Sequence, residues 1–222
     1  MCGRFTLRSV DRIRLALGLI NLEDIIPRYN IAPTQPVITI VSTEEAREMM
    51  WGLIPSWSKQ PKPIINARAE TLDDKASFSE SFEKRRCLIP ADGFYEWRKA
   101  GKARQAFHIR MKDGRTFAFA GIWDRWRNNE TTVKSCAIIT TTANEVLEPL
   151  HERMPVILPE DKYELWLNED VSPAALKKLL EPFPSDQMQS YPVSSQVNYV
   201  DVDNEDLVKR VDAEVGTTPS LF

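Results

Sequence analysis

The sequence lacks any apolar stretch approaching the roughly 20 residues needed to cross a bilayer. The N-terminal segment also lacks the uninterrupted apolar core of a secretory signal, because Arg8, Asp11, Arg12 and Arg14 break it up. No glycine-rich phosphate-binding loop occurs, so a nucleotide cofactor is not indicated. We therefore expect a cytoplasmic protein with no membrane association and no cofactor.

Cysteine is scarce. Cys2, Cys87 and Cys136 form an odd, widely spaced set, which in a cytosolic chain indicates free thiols rather than disulfides. Together with the only two histidines, His108 and His151, they show no paired ligand spacing, so no metal site is predicted. Cys87 and Cys136 precede apolar runs and are expected in buried strands, whereas Cys2, near a chain end, is expected to be exposed.

An excess of positive charge is absent as well, since the formal net charge of the 222 residues is −3. Attraction to nucleic acid would therefore have to come from a local basic surface. Repeats and low-complexity tracts are also missing, and 42% of the residues are hydrophobic. This composition predicts one domain over residues 1–222, and we expect it to be a monomer.

The pattern of apolar residues predicts an α+β fold with a mainly antiparallel sheet and peripheral helices. Segment 28–33 is interpreted as an irregular loop, and a turn is expected around Gly101. Strands are predicted at 37–41, 49–53, 94–97, 107–110, 116–120, 135–141 and 155–158. Helices are predicted at 10–20, 77–86, 144–150, 160–167 and 173–180, the last with Ser172 as its N-cap.

Cys2 gains unusual chemistry if Met1 is removed, which a small second residue permits. Its α-amine, with an ordinary pKa of about 7.7–8.0, could then attack an aldehyde to form a Schiff base. The adjacent thiol could close a five-membered thiazolidine ring. Gly3 allows backbone or a ligand to approach closely. The positive charge of Arg4 could contact a phosphate and could also lower the pKa of the Cys2 thiol. The simpler alternative is an incidental residue at a frayed end.

Three further side chains are candidates for the same chemistry. Asn66 has an amide that can donate and accept, and in an extended segment Arg68 would face the same side. Glu96, among aromatic residues on a strand, is suited to proton transfer if it is desolvated. His151 could act as a general acid. The alternatives are a turn-forming Asn66, an outward-facing Glu96 paired with its basic neighbours, and a His151 with a capping role.

Aromatic and basic residues could together bind single-stranded nucleic acid. Trp57, in a loop, is the best candidate for stacking on a base, whereas Trp97 and Trp123 are expected in the core. Arg4, Arg68 and Arg153 are candidates for phosphate contacts.

The ordered set of motifs resembles the SRAP family, the SOS-response-associated peptidases understood as abasic-site-processing proteins. The resemblance spans nearly the whole chain, although each motif alone is modest. The motifs are Met-Cys-Gly-Arg-Phe at residues 1–5, Arg-Tyr-Asn-Ile-Ala-Pro at 28–33, Trp-Gly-Leu-Ile-Pro at 51–55, Ile-Asn-Ala-Arg at 65–68, Asp-Gly-Phe-Tyr-Glu-Trp at 92–97, Thr-Thr-Thr-Ala at 140–143, His-Glu-Arg-Met-Pro at 151–155 and Pro-Val-Ser at 192–194.

The resemblance implies a barrel-like sheet, a basic DNA cleft and a Cys2 that becomes the N-terminus and forms a stable thiazolidine with an abasic-site aldehyde. It implies that Met1 leaves by self-cleavage, and removal by an aminopeptidase is the alternative. The implied catalytic residues are Cys2, Asn66, Glu96 and His151. The implied DNA-binding residues are Arg4, Asn30, Pro33, Arg68, Thr140 and Arg153.

The resulting hypothesis is an abasic-site crosslinking protein with lyase-type Schiff-base chemistry. Its partner would be single-stranded DNA containing abasic sites, with single-strand/double-strand junctions as one candidate setting, and in a bacterium it would associate with the nucleoid. Two alternatives stay open. One is a cysteine peptidase acting on other proteins, with Cys2 as nucleophile and His151 as base, and the other is a non-covalent single-strand binding module.

Overall fold

The structure, a computed structural model, describes residues 2–19, 22–100 and 103–212. Within these residues the chain forms thirteen strands and four α-helices. The helices are α1 (Asp11–Leu17), α2 (Ser79–Lys84), α3 (Tyr163–Leu167) and α4 (Pro173–Leu176). The strands are β1 (Phe5–Leu7), β2 (Arg28–Ile31), β3 (Pro36–Ser42), β4 (Glu45–Trp51), β5 (Asn66–Arg68), β6 (Arg86–Ala91), β7 (Gly93–Ala100), β8 (Ala103–Met111), β9 (Phe117–Arg127), β10 (Thr132–Thr142), β11 (Arg153–Pro155), β12 (Ile157–Leu158) and β13 (Met188–Pro192).

Five strands close into a barrel in the order β10, β4, β3, β6, β9 and back to β10. All of these pairings are antiparallel except β10 with β4. A Cβ at Gly121, on β9, would lie 2.9 Å from the Sγ of Cys87 and 3.2 Å from the carbonyl oxygen of Ala137. Glycine is therefore the residue that fits where the strands approach most closely. The predicted mainly antiparallel, barrel-like α+β fold is confirmed.

A second, fully antiparallel sheet has the order β13, β8, β7, β1, β2. Phe5 of β1 joins this sheet to the barrel, since its ring makes edge-to-face contacts with Trp51 at 5.1 Å and Phe119 at 5.8 Å between centroids. Such aromatic pairs stabilise a core beyond their buried area. The first strand of the chain is thus held between β2 and β7, against the barrel.

The helices lie outside the sheets, as expected from their apolar patterns. Helix α1 buries Val10, Ile13 and Leu17, and it ends at Gly18, whose φ of 64° provides the left-handed cap. Ile20, predicted on the same face, lies outside the described residues. Ser172 caps α4 as predicted, because its side chain accepts from the backbone amide of Ala175. No helix in the described ranges is long and apolar enough to cross a membrane.

Two local predictions are wrong. Segment 28–33 is not an irregular loop, because residues 28–31 form β2, in which Ile31 pairs with Phe5 of β1. Segment 144–150 forms consecutive turns instead of a helix. There the side-chain oxygen of Asn144 accepts from the amides of Val146 and Leu147, and Pro149 has no amide to donate. The turn predicted around Gly101 lies outside the described residues.

Candidate active site

Cys2 is fully buried, so the expectation that it is exposed is wrong. The cause is β1, which begins three residues later and is fixed in the second sheet by backbone pairing with β7. The amide of Tyr95 also donates to the carbonyl of Arg4 at 3.0 Å, which extends this pairing toward Cys2. The structure therefore holds the beginning of the chain in the interior, where its groups can be positioned.

Burial raises the pKa of the Cys2 thiol, and the charge of Glu96 raises it further. The thiol is therefore protonated at neutral pH. Arg4 lowers this pKa as predicted, but through a backbone hydrogen bond, and burial outweighs the effect. Reaction at Cys2 then requires a group that removes or redirects the thiol proton.

Asn66 contacts Cys2 directly. Its Nδ2 donates to the carbonyl oxygen of Cys2 at 2.9 Å, whereas its buried Oδ1 has no hydrogen-bond partner among the described residues. Asn66 begins β5, which pairs in parallel with β10 of the barrel, and Ala67 is buried between Asn66 and the exposed Arg68. This confirms that Asn66 and Arg68 share one side of an extended segment. The turn-forming alternative for Asn66 is wrong.

Glu96 lies in β7 of the second sheet and is 3% exposed. It is close enough to raise the pKa of the Cys2 thiol through its charge. The alternative of an outward-facing Glu96 is therefore wrong. Its position beside Cys2 is suitable for transferring protons to and from the groups of that residue.

His151 lies in the connection between β10 and β11, on the barrel side. Its Nδ1 accepts from the backbone amide of Arg153 at 2.9 Å, which fixes the neutral tautomer with the proton on Nε2. No described residue hydrogen-bonds to Nε2. The half-buried imidazole thus presents one N–H group that can donate to a ligand.

Arg153 connects several predicted residues in the barrel. Its guanidinium forms a two-point ion pair with Glu70, with Nη1–Oε1 at 2.6 Å and Nη2–Oε2 at 2.9 Å. Nη2 also donates to the carbonyl oxygen of Thr140 at 2.6 Å. Thr140 is fully buried and Arg153 is 9% exposed. Both predicted DNA-binding residues therefore make protein contacts in the interior.

Asn30 likewise lies inside the protein and contacts Arg4. Its Oδ1 accepts from Arg4 Nε at 3.0 Å. Its Nδ2 donates to three carbonyls of the C-terminal segment, those of Val197, Tyr199 and Val202, at 2.8–3.3 Å. Asn30 thus fixes the side chain of Arg4 and the segment that packs beside it.

A cleft of about 530 Å³ is lined in part by Gly3 and Arg4, the two residues that follow Cys2. Trp97, predicted in the core, is half-buried on its wall, and Trp97 Nε1 donates to Asn198 at 2.8 Å. Sequence reasoning missed Trp97, Arg104 and Asn198 here, because only the pairing of β7 with β8 and the packing of the C-terminal segment bring them together. The residues lining the cleft are Gly3, Arg4, Pro33, Trp97, Arg104 and Asn198.

Like the buried Asn30, Thr140 and Arg153, the exposed Trp57 and Arg68 lie outside this lining. Trp57 is 60% exposed in the loop after β4, where its indole N–H donates to the carbonyl of Ala76 at 3.2 Å. Arg68 is exposed at the end of β5. Within the described residues, no cluster of three or more His, Cys, Asp or Glu side chains could hold a metal ion.

The site therefore combines the two sheets. Cys2 and Glu96 come from the second sheet, and Asn66 and His151 come from the barrel. The direct links are the hydrogen bond from Asn66 to Cys2 and the electrostatic influence of Glu96 on the Cys2 thiol. The ring of His151 makes no hydrogen bond to Cys2 or Asn66 in the described structure. The arrangement supplies a buried nucleophile, a carboxylate, an amide and an N–H donor, and the residues that follow the nucleophile line a cleft.

Comparisons with known proteins agree with this architecture. "Abasic site processing protein YoqW" of Bacillus subtilis (strain 168) is 42% identical over 214 residues, covering 89% of this chain and 94% of that protein. "Abasic site processing protein YedK" of Escherichia coli (strain K12) is 29% identical, covering 95% of this chain and all of that protein. A crystal structure of a protein from Bacteroides thetaiotaomicron matches with a TM-score of 0.85 at 28% identity, covering 95% of this chain and all of the other.

A sequence profile of the family described as "SOS response associated peptidase (SRAP)" matches residues 1–200. This match covers most of the 222 residues, including both sheets and every residue of the site. The chain belongs to the SOS response associated peptidase (SRAP) family.

Proposed function

We propose that this protein senses abasic sites in single-stranded DNA and, after removal of Met1, crosslinks to them through a thiazolidine at Cys2. The main support is that Cys2 is buried, held by Asn66 and within electrostatic reach of Glu96, and that Gly3 and Arg4, which follow it in the chain, line a cleft. An incidental residue at a frayed end would have none of these contacts. The names of the YoqW and YedK relatives support the abasic site as the substrate.

The first step converts the closed abasic sugar to its reactive aldehyde. The bond from the anomeric carbon to the ring oxygen breaks as His151 gives its Nε2 proton to the ring oxygen. A water molecule takes the proton of the anomeric hydroxyl and returns one to Nε2, so the imidazole ends the step neutral. The hydrogen bond that Nδ1 accepts from Arg153 orients the imidazole for this donation. An open-chain aldehyde and a sugar hydroxyl result.

The second step joins the aldehyde to Cys2. The neutral α-amine attacks the carbonyl carbon, and loss of one water gives an imine. Glu96 transfers the protons needed for water to leave, while Asn66 holds the Cys2 carbonyl in place.

The third step closes the ring. The Cys2 sulfur bonds to the imine carbon, and the thiol proton moves through Glu96 to the imine nitrogen, which becomes a secondary amine. This route uses the protonated thiol that the raised Cys2 pKa provides. The DNA strand stays intact on both sides of the abasic sugar, because the thiazolidine protects this sugar from β-elimination.

DNA binding would use a local surface, consistent with a net charge of −3. Arg4 and Arg68 would contact phosphates, Pro33 would line the path, and Trp57 would stack on a base. Asn30 would act through Arg4, which it holds. Thr140 and Arg153 would contribute from beneath the surface, where the structure places them.

A cysteine peptidase acting on other proteins is disfavoured by the same geometry. An activated cysteine nucleophile needs a lowered pKa and a base in contact. Here the pKa of Cys2 is raised, and Nδ1 of His151 accepts a hydrogen bond from Arg153.

Removal of Met1 is a different reaction, which each molecule undergoes once. We propose that Glu96 activates the water that hydrolyses the bond between Met1 and Cys2. Met1 lies outside the described residues.

The decisive experiment mixes mature protein with an oligonucleotide carrying one abasic site. The adduct should survive denaturation, and its mass should equal protein plus oligonucleotide minus one water. Cys2→Ala should give an adduct only when borohydride reduces the imine. Cys136→Ala, which changes another buried cysteine, should behave like the unchanged protein.

Three outcomes would contradict the proposal. They are a stable adduct formed by Cys2→Ala without reductant, an active protein that still carries Met1, and binding to abasic DNA that salt fully reverses. Intact mass measured after expression of Glu96→Gln tests the origin of the mature N-terminus. Retained Met1 supports self-cleavage, whereas its removal indicates an aminopeptidase.

A further inference from the structure

Asn66 and His151 are held on opposite edges of one barrel strand. Asn66 begins β5, which pairs in parallel with β10 so that Ile138 faces Asn66. His151 precedes β11, which pairs with the other edge of β10 over residues 140–142. Their separation therefore depends on how β5 and β11 are fixed relative to β10.

Glu70 connects the two segments that pair with opposite edges of β10. It lies in the 3₁₀ turn Ala69–Thr71 that directly follows β5, whereas Arg153, its ion-pair partner, is the first residue of β11. The same guanidinium donates to the carbonyl and hydroxyl oxygens of Thr140 on β10. One ion pair thus links the strand that carries Asn66, the central strand and the segment that carries His151.

The link to His151 is direct. The backbone amide of Arg153 donates to His151 Nδ1, while its side chain binds Glu70. Movement of Arg153 would therefore change both the tautomer and the orientation of the imidazole. Two-point pairing of a guanidinium with a carboxylate fixes direction as well as distance, which a single hydrogen bond does not.

Glu70 cannot contribute by attracting DNA, because its side chain is negatively charged. The hydrogen bond from Arg153 lowers the pKa of Glu70, and the charge of Arg68 lowers it further. Glu70 is therefore a carboxylate beside two arginines proposed to assist phosphate binding. Its negative charge opposes the approach of a phosphate, so its benefit has to be geometric.

We propose that Glu70 is a positioning residue for the covalent step, because its ion pair with Arg153 fixes Asn66 and His151 across β10. The inference rests on the proposed function of the same site. Glu70 does not touch the aldehyde and transfers no proton. It acts through Arg153 alone.

The test compares Glu70→Ala with unchanged protein in single-turnover crosslinking at saturating abasic DNA. We expect the maximal rate to fall about tenfold, while affinity for undamaged single-stranded DNA stays equal or increases about twofold. Glu70→Gln, which keeps one acceptor for Arg153, should recover part of the rate. With an oligonucleotide carrying an open-chain aldehyde, the loss should shrink, because His151 is then not needed to open the sugar.

Glu160→Ala is the matched control. It removes a carboxylate of similar exposure, paired with Arg12 at 2.8 Å, from a different depression of the surface. Its crosslinking rate should equal that of unchanged protein. Melting temperatures of all variants show whether any loss of rate reflects loss of folded protein.

An unchanged maximal rate in folded Glu70→Ala would overturn the inference, and so would an effect on DNA affinity alone. The proposed function would still stand in both cases, because unchanged protein would form the adduct. If unchanged protein forms no adduct, the proposed function itself fails.

Discussion

Two polar clusters lie along the same strands, and they differ in how their groups are partnered. In the buried cluster, Thr6 on β1 donates to Asp92 at 2.5 Å and lies 3.4 Å from His108 Nε2. His108 Nδ1 pairs with the hydroxyl of Tyr191 at 3.0 Å, and this hydroxyl donates to the carbonyl of Val208. Within the described structure, both ring nitrogens of His108 thus face a protein group.

The second cluster, formed by Cys2, Asn66, Glu96 and His151, includes residues close in sequence to the first, but some of its polar atoms lack a protein partner in the described part of the chain. Cys2 lies before β1, and Glu96 lies three residues after Gly93 on β7. Here Asn66 Oδ1 and His151 Nε2 have no hydrogen-bond partner among the described residues. Polarity and burial alone therefore do not identify a reactive site. Polar groups such as Asn66 Oδ1, which have no protein partner among the described residues, mark the candidate site, whereas buried networks whose members are paired stabilise the fold.

The largest expected effect is that of Glu96→Gln. Removing the carboxylate that transfers protons should slow adduct formation by about 100-fold or more. It should also lower the pKa of the Cys2 thiol, because the charge of Glu96 raises it. Single-turnover crosslinking and the pH dependence of thiol alkylation measure the two effects. In both proteins the N-terminal Cys2 is generated by cutting off a removable leader with a protease, so that the comparison does not depend on self-cleavage. An unchanged crosslinking rate would show that Glu96 has a structural role and does not transfer protons.

His151→Gln should slow crosslinking to a closed abasic sugar by about 100-fold. With an open-chain aldehyde in place of the sugar, the same variant should react within about threefold of unchanged protein. Equal losses on both substrates would show that His151 does not act in ring opening.

The other histidine should control acid stability. Burial lowers the pKa of His108 to about 3, with further lowering by Arg8 and Arg110. Between its ordinary value of 6.5 and about 3, the unfolded chain binds the proton and the native state does not. Stability should therefore fall as pH decreases, by about 2 kcal/mol from pH 6.5 to 4.5.

His108→Gln should flatten this dependence in urea unfolding measured at several pH values, whereas His151→Gln should retain it. A pH dependence that survives in His108→Gln would assign the effect to other groups.

Tyr191→Phe should destabilise the protein by about 1.5 kcal/mol, because it removes the hydroxyl that joins His108 to Val208. The crosslinking rate per folded molecule should stay unchanged. Chemical denaturation and single-turnover crosslinking on the same sample measure both quantities. A slower reaction without loss of stability would show that the buried cluster takes part in the chemistry.

The smallest expected effect is that of Trp57→Ala. Loss of a stacking ring should weaken binding to undamaged single-stranded DNA about fivefold, the lower end of the range for aromatic stacking. Stability should not change, since the side chain is 60% exposed. Fluorescence anisotropy measures the affinity, and unchanged binding would remove Trp57 from the DNA path.

The long strands could be predicted from the sequence, because β3, β9 and β10 carry their own β-branched and apolar pattern. The short ones could not. Strand β1 has three residues and exists because Phe5 pairs with Phe94 and Ile31, far away along the chain. The burial of Cys2 follows from that pairing, so no local pattern reveals it.

The site residues could be predicted as members of an ordered set, but their contacts could not. An amide that can donate and accept does not specify its partner, whereas in the structure Asn66 donates to the Cys2 carbonyl. Glu70 has no local signal at all, because its partner lies 83 residues away. Long-range ion pairs of this kind depend on which strands become neighbours, and spacing along the chain does not encode that.

The placement of β1 between β2 and β7 has a consequence during synthesis. Strand β1 can pair with β2 early, but it meets its other partner, β7, only after Phe94 has emerged from the ribosome, and Arg153, which orients His151, emerges later still. A nascent chain therefore carries Cys2 without the groups proposed to activate it. The Cys2 thiol therefore stays without these groups until residue 153 has been synthesised, and the complete set of site residues arises only with the folded domain.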